Sequence, residues 1–235
     1  MSVSESTARS SNASMNALAM NASDGRSRET AHQYVTKRIR KWILSGAVDG
    51  GARLMQGEIA AALNVSTTPV REALRDLVAE GLVRLDANRG AVVREINLTE
   101  MKEIYDLRGL LEPYAIARAT SVISVESLDH AARVLDEMES CDDVSRTSEL
   151  NRDFHAILVD SVGSERLSSM LKSLRDVSSL FTSKIMQVNA DTRRVGEGEH
   201  RQILDACRRR DRETAIELIR IHLQGALASM ENLAD

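Results

Sequence analysis

Only 12 glycines and two prolines punctuate the 235 residues of this chain. Sheet proteins need such residues at short intervals to turn, so punctuation this sparse argues against a many-stranded sandwich or barrel and for long helices. The length suffices for two modest domains with cores of their own. No apolar run approaches the ~18–20 residues of a membrane span. The opening MSVSESTARSSNAS lacks the charged and apolar regions of a secretory signal. The two cysteines, Cys141 and Cys207, stand in no paired motif, which suits a reducing compartment. The expectation is therefore a cytoplasmic protein with no membrane partner.

Charge divides the chain. Residues 26–96 hold 12 Lys/Arg against 8 Asp/Glu, a net of +4, whereas residues 97–235 hold 18 against 25, a net of −7. A small basic front and a larger acidic back imply two domains with different partners, the first of them suited to a polyanion. Residues 1–25 are rich in Ser, Asn and Ala without apolar periodicity and read as a disordered tail.

Within 26–96 the local signals are sharp. Thr30 with Gln33 forms a capping-box pattern, Val35, Ile39, Trp42 and Ile43 give the helix an apolar stripe, and Gly46 ends it. A short helix is expected from Gln56 to Leu63, and Asn64 tolerates the left-handed conformation of a sharp turn. A third helix opens near Ser66, with Pro69 in its first turn, where a missing N–H costs nothing. Its buried face is Val70, Ala73, Leu74, Leu77 and Val78. Leu82–Leu85 and Ala91–Ile96 read as two strands around Asp86-Ala87-Asn88-Arg89-Gly90.

That order is the plan of a winged helix-turn-helix. A helix fits the DNA major groove, and its first turn reaches the base edges. Here that turn offers Ser66, Thr67, Thr68 and Arg71, with Arg75 one turn on: hydroxyls for phosphates and guanidinium forks for guanine. Arg89 and Gly90 at the hairpin tip would lie near the minor groove. The bland alternative is a small helical domain whose Arg71 is a solvated surface charge.

The run Val65-Ser66-Thr67-Thr68-Pro69-Val70-Arg71-Glu72-Ala73-Leu74, followed by Glu80-Gly81-Leu82-Val83 and Asn88-Arg89-Gly90, resembles the DNA-binding domain of the GntR family of bacterial transcriptional regulators. The match is long and gapless, far more specific than a lone motif. Two residues depart from the family pattern. Thr67 stands where the family usually carries Arg, and Gly57 where it carries a longer polar or basic side chain. The resemblance implies a DNA-binding regulator and leaves its half-site sequence open.

Residues 97–235 read as six helices and no strands, hence an all-α bundle. Their stripes are Met101, Ile104, Leu111 and Ala115; Leu128, Leu135 and Met138; Asn151, Phe154, His155, Leu158 and Val162; Leu167, Met170, Leu171, Leu174, Val177, Phe181 and Ile185; His200, Ile203, Leu204 and Cys207; and Leu218, Ile219, His222 and Ala226. Three of the five histidines thus fall on apolar stripes of three separate helices. Imidazoles converging in a bundle core suit a transition metal, although a single histidine so placed is more often a satisfied core residue. Asn151 lies one turn before His155 on the same face. Arg108 also lies on an apolar stripe; a buried Arg needs an anionic partner, and Glu112, one turn on, is the bland one.

The sequence Asn151-x-x-x-His155, then Glu199-His200-Arg201, then His222-Leu223 resembles the FCD effector domain of the FadR subfamily within GntR, in the six-helix form of VanR-like regulators. The resemblance implies a divalent transition metal, zinc with nickel or manganese as alternatives, held by Asn151, His155, His200 and His222. It also implies a small organic acid bound beside that metal, with Arg108 as the candidate carboxylate partner. The expected protein is a homodimeric repressor that binds an inverted-repeat operator and releases it with effector. The rival reading is a zinc-dependent enzyme acting on a small carboxylate, with Glu197 or Glu199 as a base near His200. No H-E-x-x-H motif supports it. Six aromatic residues leave no stacking platform for RNA.

Overall fold

The computed structural model describes residues 29–188 and 190–234; the side chains of 144, 145, 181–188, 190–195, 233 and 234 lie outside that description. The expected tail, residues 1–25, therefore falls outside the described residues, as do the side chains of the stripe members Phe181 and Ile185. The chain divides into two compact units between Glu95 and Ile96.

The first unit is a helix-turn-helix with a hairpin wing. Helix α1 (Ala31–Leu44) begins at Thr30, whose hydroxyl accepts the Gln33 N–H at 3.2 Å while Gln33 Oε1 accepts the Thr30 N–H at 3.0 Å. Such a reciprocal cap contributes about 1 kcal/mol. Helix α2 (Gln56–Leu63) ends at Asn64, which adopts the left-handed conformation with φ 52°. Helix α3 (Thr67–Ala79) follows directly, packs on α1 and buries Val70, Ala73, Leu74 and Leu77, with Val78 only half-buried.

Strands β1 (Val83–Asp86) and β2 (Gly90–Val93) pair antiparallel, Val83 opposite Val93 and Asp86 opposite Gly90. The first is as long as the expected Leu82–Leu85 but begins one residue later, and the second is shorter than the expected Ala91–Ile96. Past Val93 one further bond forms, from the Arg94 N–H to the Leu82 carbonyl at 2.9 Å. Beyond it the ladder has no partner, because the residues before Leu82 belong to the end of α3. A third segment joins the other edge of β2 through an isolated bridge, Arg53 to Val92, flanked by Leu54 N–H to the Ala91 carbonyl at 2.8 Å.

The second unit is all-helical: α4 (Leu98–Val122), α5 (Val125–Ser140), α6 (Val144–Asp160), α7 (Glu165–Val188), α8 (Ala190–Arg208) and α9 (Arg212–Ala234). Its largest core cluster joins Leu128, Leu135 and Met138 of α5 to Leu150, Phe154 and Leu158 of α6, Ile203 and Leu204 of α8, and Ile219 of α9. Smaller clusters form around Met101, Tyr105, Leu223 and Met230, and around Ala115, Val159, Leu167 and Leu171. Met170, placed on the buried stripe of α7 by periodicity, is instead 56% exposed. The helix buries its Leu167–Leu171 row at i, i+4 spacing, and Met170 points one position off that row. Among the described residues no helix is long and apolar enough to cross a membrane.

Candidate metal centre and nucleic-acid interface

In the first unit, Ser66, Thr67, Thr68, Arg71 and Arg75 are all exposed at the start of α3. Ser66 is the N-cap residue, yet its hydroxyl makes no capping bond and remains available to a ligand. Helix N-termini point unsatisfied N–H groups and a partial positive charge outward, which favours phosphate. Arg71 and Arg75 have no ion pair among the described residues, so neither must break one to meet DNA. Gly57, in α2, has nothing within 4 Å of the position a Cβ would take. The turn between the strands is tied by Asp86, whose carboxylate accepts the N–H groups of Asn88 and Arg89, both at 2.9 Å. Those bonds, with Arg84 beside them, hold the Asp86 carboxyl below its usual range. Gly90 needs its glycine, with φ 73°. Arg89 does not extend freely from the tip: its Nη2 donates to the Gly51 carbonyl at 3.1 Å.

In the second unit, α6, α8 and α9 bring His155, His200 and His222 together. All three are buried, and one ring nitrogen from each lies within 4.8 Å of the others. Ring centroids are 5.1 Å apart for His155 and His200, 5.3 Å for His155 and His222, and 4.6 Å for His200 and His222. Nitrogens sharing an ion at about 2.1 Å stand at most about 4.2 Å apart, so coordination requires only a small inward movement of the rings. Burial, reinforced by neighbouring imidazoles, drives His155 and His200 well below the ordinary imidazole range. Both are therefore neutral at pH 7, the state a metal requires.

The unmet hydrogen-bonding capacity of the rings fits an ion. His155 Nε2 and both nitrogens of His200 are buried without a hydrogen-bond partner. Each unmet buried polar atom costs about 1–3 kcal/mol. An ion would satisfy one acceptor on each ring, and the donor set is one transition metals accept. Asn151 stands one turn before His155 on α6, half-buried.

Carboxylates surround the histidines. Glu199 Oε2 lies 2.8 Å from His222 Nδ1, an arrangement that fixes the tautomer and leaves Nε2 for a ligand. Glu112, also buried, has Oε2 at 3.7 Å from His155 Nδ1. Its Oε1 accepts from Arg108 Nε at 2.8 Å and from Arg175 Nε at 3.3 Å. Burial alone would raise the Glu112 carboxyl, but the two guanidiniums override it and hold the group down at about 2.

Arg108 is thus engaged by the bland partner, Glu112, and also donates from Nη1 to Ser178 Oγ at 3.1 Å with its guanidinium 4.6 Å from the Tyr105 ring centre. Arg175 went unnoticed in the sequence. It lies four residues after Leu171 on the buried row of α7, the signal that singled out Arg108. Its Nη2 is buried without a partner. Arg108 and Arg175 share the one carboxylate of Glu112, which leaves the buried Nη2 of Arg175 to meet a small anion.

Comparison with known proteins gives consistent results. The profile for bacterial regulatory proteins of the gntR family matches residues 31–93, and that for the FCD domain matches residues 103–225. The chain is 30% identical to the HTH-type transcriptional regulator BphR of Paraburkholderia xenovorans (strain LB400), covering 82% of each chain. It is 29% identical to the gluconate operon transcriptional repressor of Bacillus subtilis (strain 168), covering 85% of this chain and 84% of that one. Its fold is similar to Escherichia coli McbR/YncC, with a TM-score of 0.79, 22% identity and coverage of 88% and 100%. A GntR transcriptional regulator from Rhodococcus sp. RHA1 superposes with a TM-score of 0.73, at 26% identity, covering 86% and 97%.

Proposed function

Because this chain belongs to the gntR family of bacterial regulatory proteins, carries an FCD domain and is a transcriptional regulator rather than an enzyme, we propose that it is a metal-dependent, ligand-responsive repressor. A homodimer binds an inverted-repeat operator through α3 and the wing. A small carboxylate binds in the second unit and alters operator affinity by favouring one arrangement of the DNA-binding units over another. The observation that carries this reading is the set of buried, unpartnered nitrogens on His155, His200 and Arg175. Buried polar groups without partners mark places where a ligand is expected.

His155, His200 and His222, with the Asn151 amide oxygen as fourth donor, would hold a divalent transition metal, zinc first, with nickel or manganese as alternatives. When bound, the ion supplies a positive point of attachment for a carboxylate oxygen. Arg175 offers its unpartnered Nη2 to the other oxygen. Arg108, the residue singled out from the sequence, lines the same place while its Nε is held by Glu112. Glu199, an acid weighed for the rival enzyme, instead holds His222 in orientation. In the first unit, Ser66, Thr67 and Thr68 contact phosphate, Arg71 and Arg75 reach into the major groove, and Arg89 with Gly90 approaches the minor groove after leaving the Gly51 carbonyl.

Genomic fragments retained by the purified protein, sequenced beside an Arg71→Ala control, test the reading. A sharp inverted repeat in a few promoters is the expected result. Arg71→Ala should weaken operator binding by about 1–3 kcal/mol if the fork reads a guanine. Diffuse, salt-sensitive retention would overturn sequence-specific regulation. The effector pocket has a separate test, thermal unfolding of the metal-loaded protein with organic acids from acetate to citrate. Arg175→Ala should abolish the stabilisation that the best acid gives while the metal stays bound. An unchanged shift would remove Arg175 from the pocket.

A further inference from the structure

Helix α4 packs against α6, α7, α8 and α9 on one side and leaves a single stripe uncovered on the other. Along that stripe run Glu103, Asp106, Leu107, Leu110, Tyr114 and Arg118, all exposed. The apolar members are large: Leu110 is 74% exposed, Tyr114 54% and Leu107 48%. Their spacing keeps them on one face of the helix, as on a helix made to meet another. No other exposed stretch among the described residues gathers three large apolar side chains on one helical face.

Charge identifies the occupant. The acids Glu103 and Asp106 sit at the N-terminal end of the apolar patch, and the base Arg118 at its C-terminal end. Arg118 is held upright by Tyr114, donating from Nη1 to the phenol oxygen at 3.2 Å. Neither acid makes an ion pair among the described residues. An acid-apolar-base stripe is complementary to itself only when turned end for end. A parallel copy would set acid on acid.

We propose that α4 is the seam of the homodimer, two copies crossing antiparallel about a two-fold axis near Leu110. Leu107, Leu110 and Tyr114 then bury one another, and Glu103 and Asp106 meet the partner's Arg118, twice over by symmetry. The inference rests on the dimeric reading above and adds where and in which direction the copies meet.

Sedimentation of the full chain tests it. Wild type is expected to be a dimer, and Leu110→Asp a monomer at the same concentration with unchanged helical circular dichroism. Arg118→Glu sets like charges together at both ends and should weaken dimerisation by about tenfold or more. Adding Glu103→Arg and Asp106→Arg to that variant reverses every charge of the seam and should restore most of the loss. A dimer that survives Leu110→Asp overturns this face and leaves the dimeric regulator standing. A reversed variant no tighter than Arg118→Glu overturns the antiparallel direction. A wild type that stays monomeric at all concentrations overturns the dimeric reading itself.

Discussion

Replacement of Glu112 by alanine should destabilise the helical unit by about 3–5 kcal/mol, because it strips two buried guanidiniums of their only shared counter-charge. Arg108 and Arg175 are each 6% exposed and both direct Nε at the same carboxylate oxygen. The lost bonds are the smaller part of the cost; the charge left behind in a dry interior is the larger. Whole domains are stable by about 5–15 kcal/mol, so such a change approaches unfolding at moderate temperature. Urea titration of the two proteins gives the comparison. A midpoint within the equivalent of about 1 kcal/mol of wild type would show that Arg108 and Arg175 do not depend on Glu112.

The same carboxylate gives an acid signature. Its folded value of about 2 lies below the ordinary 4.5, so the stability it supplies is complete above pH 4.5 and is lost as pH falls towards 2. Glu112→Gln keeps the shape and an acceptor but cannot titrate. Its stability should therefore be lower than wild type at neutral pH and converge with it in acid.

The second large effect concerns the metal. Wild type should purify with a bound transition metal and His200→Ala without it, as measured by elemental analysis after preparation free of chelators. His200 is the central ring of the trio, 4.6 Å from His222 and 5.1 Å from His155 between centroids. Loss of a carboxylate behind a ligand already costs about 10–100-fold in affinity, and loss of the ligand itself costs more. Thermal unfolding supplies an independent reading. Zinc at about 100 times its dissociation constant should stabilise wild type by roughly 2.7 kcal/mol and leave the variant unmoved. Full occupancy in the variant would remove His200 from the site. In the metal-free proteins the substitution also deletes two unpartnered polar atoms, so it should cost less than an ordinary cavity of its size.

Much of this was legible in the sequence wherever a feature is set by near neighbours. The Thr30–Gln33 box, the left-handed Asn64 and the first-turn Pro69 are local rules, and the structure follows them. The convergence of His155, His200 and His222 was legible as well, because helical periodicity tells which residues face the core even when it does not tell what they meet there. Pairings across the chain were not. Nothing near Arg53 announces its bridge to Val92, since one bridge leaves no alternation to detect. The stripe that suggested a buried Met170 mixed two rows of one helix, and the bundle chose one. Arg175 carried the same signal as Arg108 but lacked an acid one turn away; its partner Glu112 is on another helix. Glu199 stood out as an acid near His200, yet its engagement is with His222, a relation that only the docking of α8 on α9 creates.

The histidines come from three helices, His200 and His222 from the consecutive α8 and α9 and His155 from α6, with the whole of α7 between. An ion shared among them works as a late-closing clasp. It cannot be captured by any single helix or by any adjacent pair, and it appears only once the last helix has docked. Zinc uptake during refolding would therefore be a clock for the completion of this unit. The protein should become competent to sense its ligand at the same moment that it finishes folding.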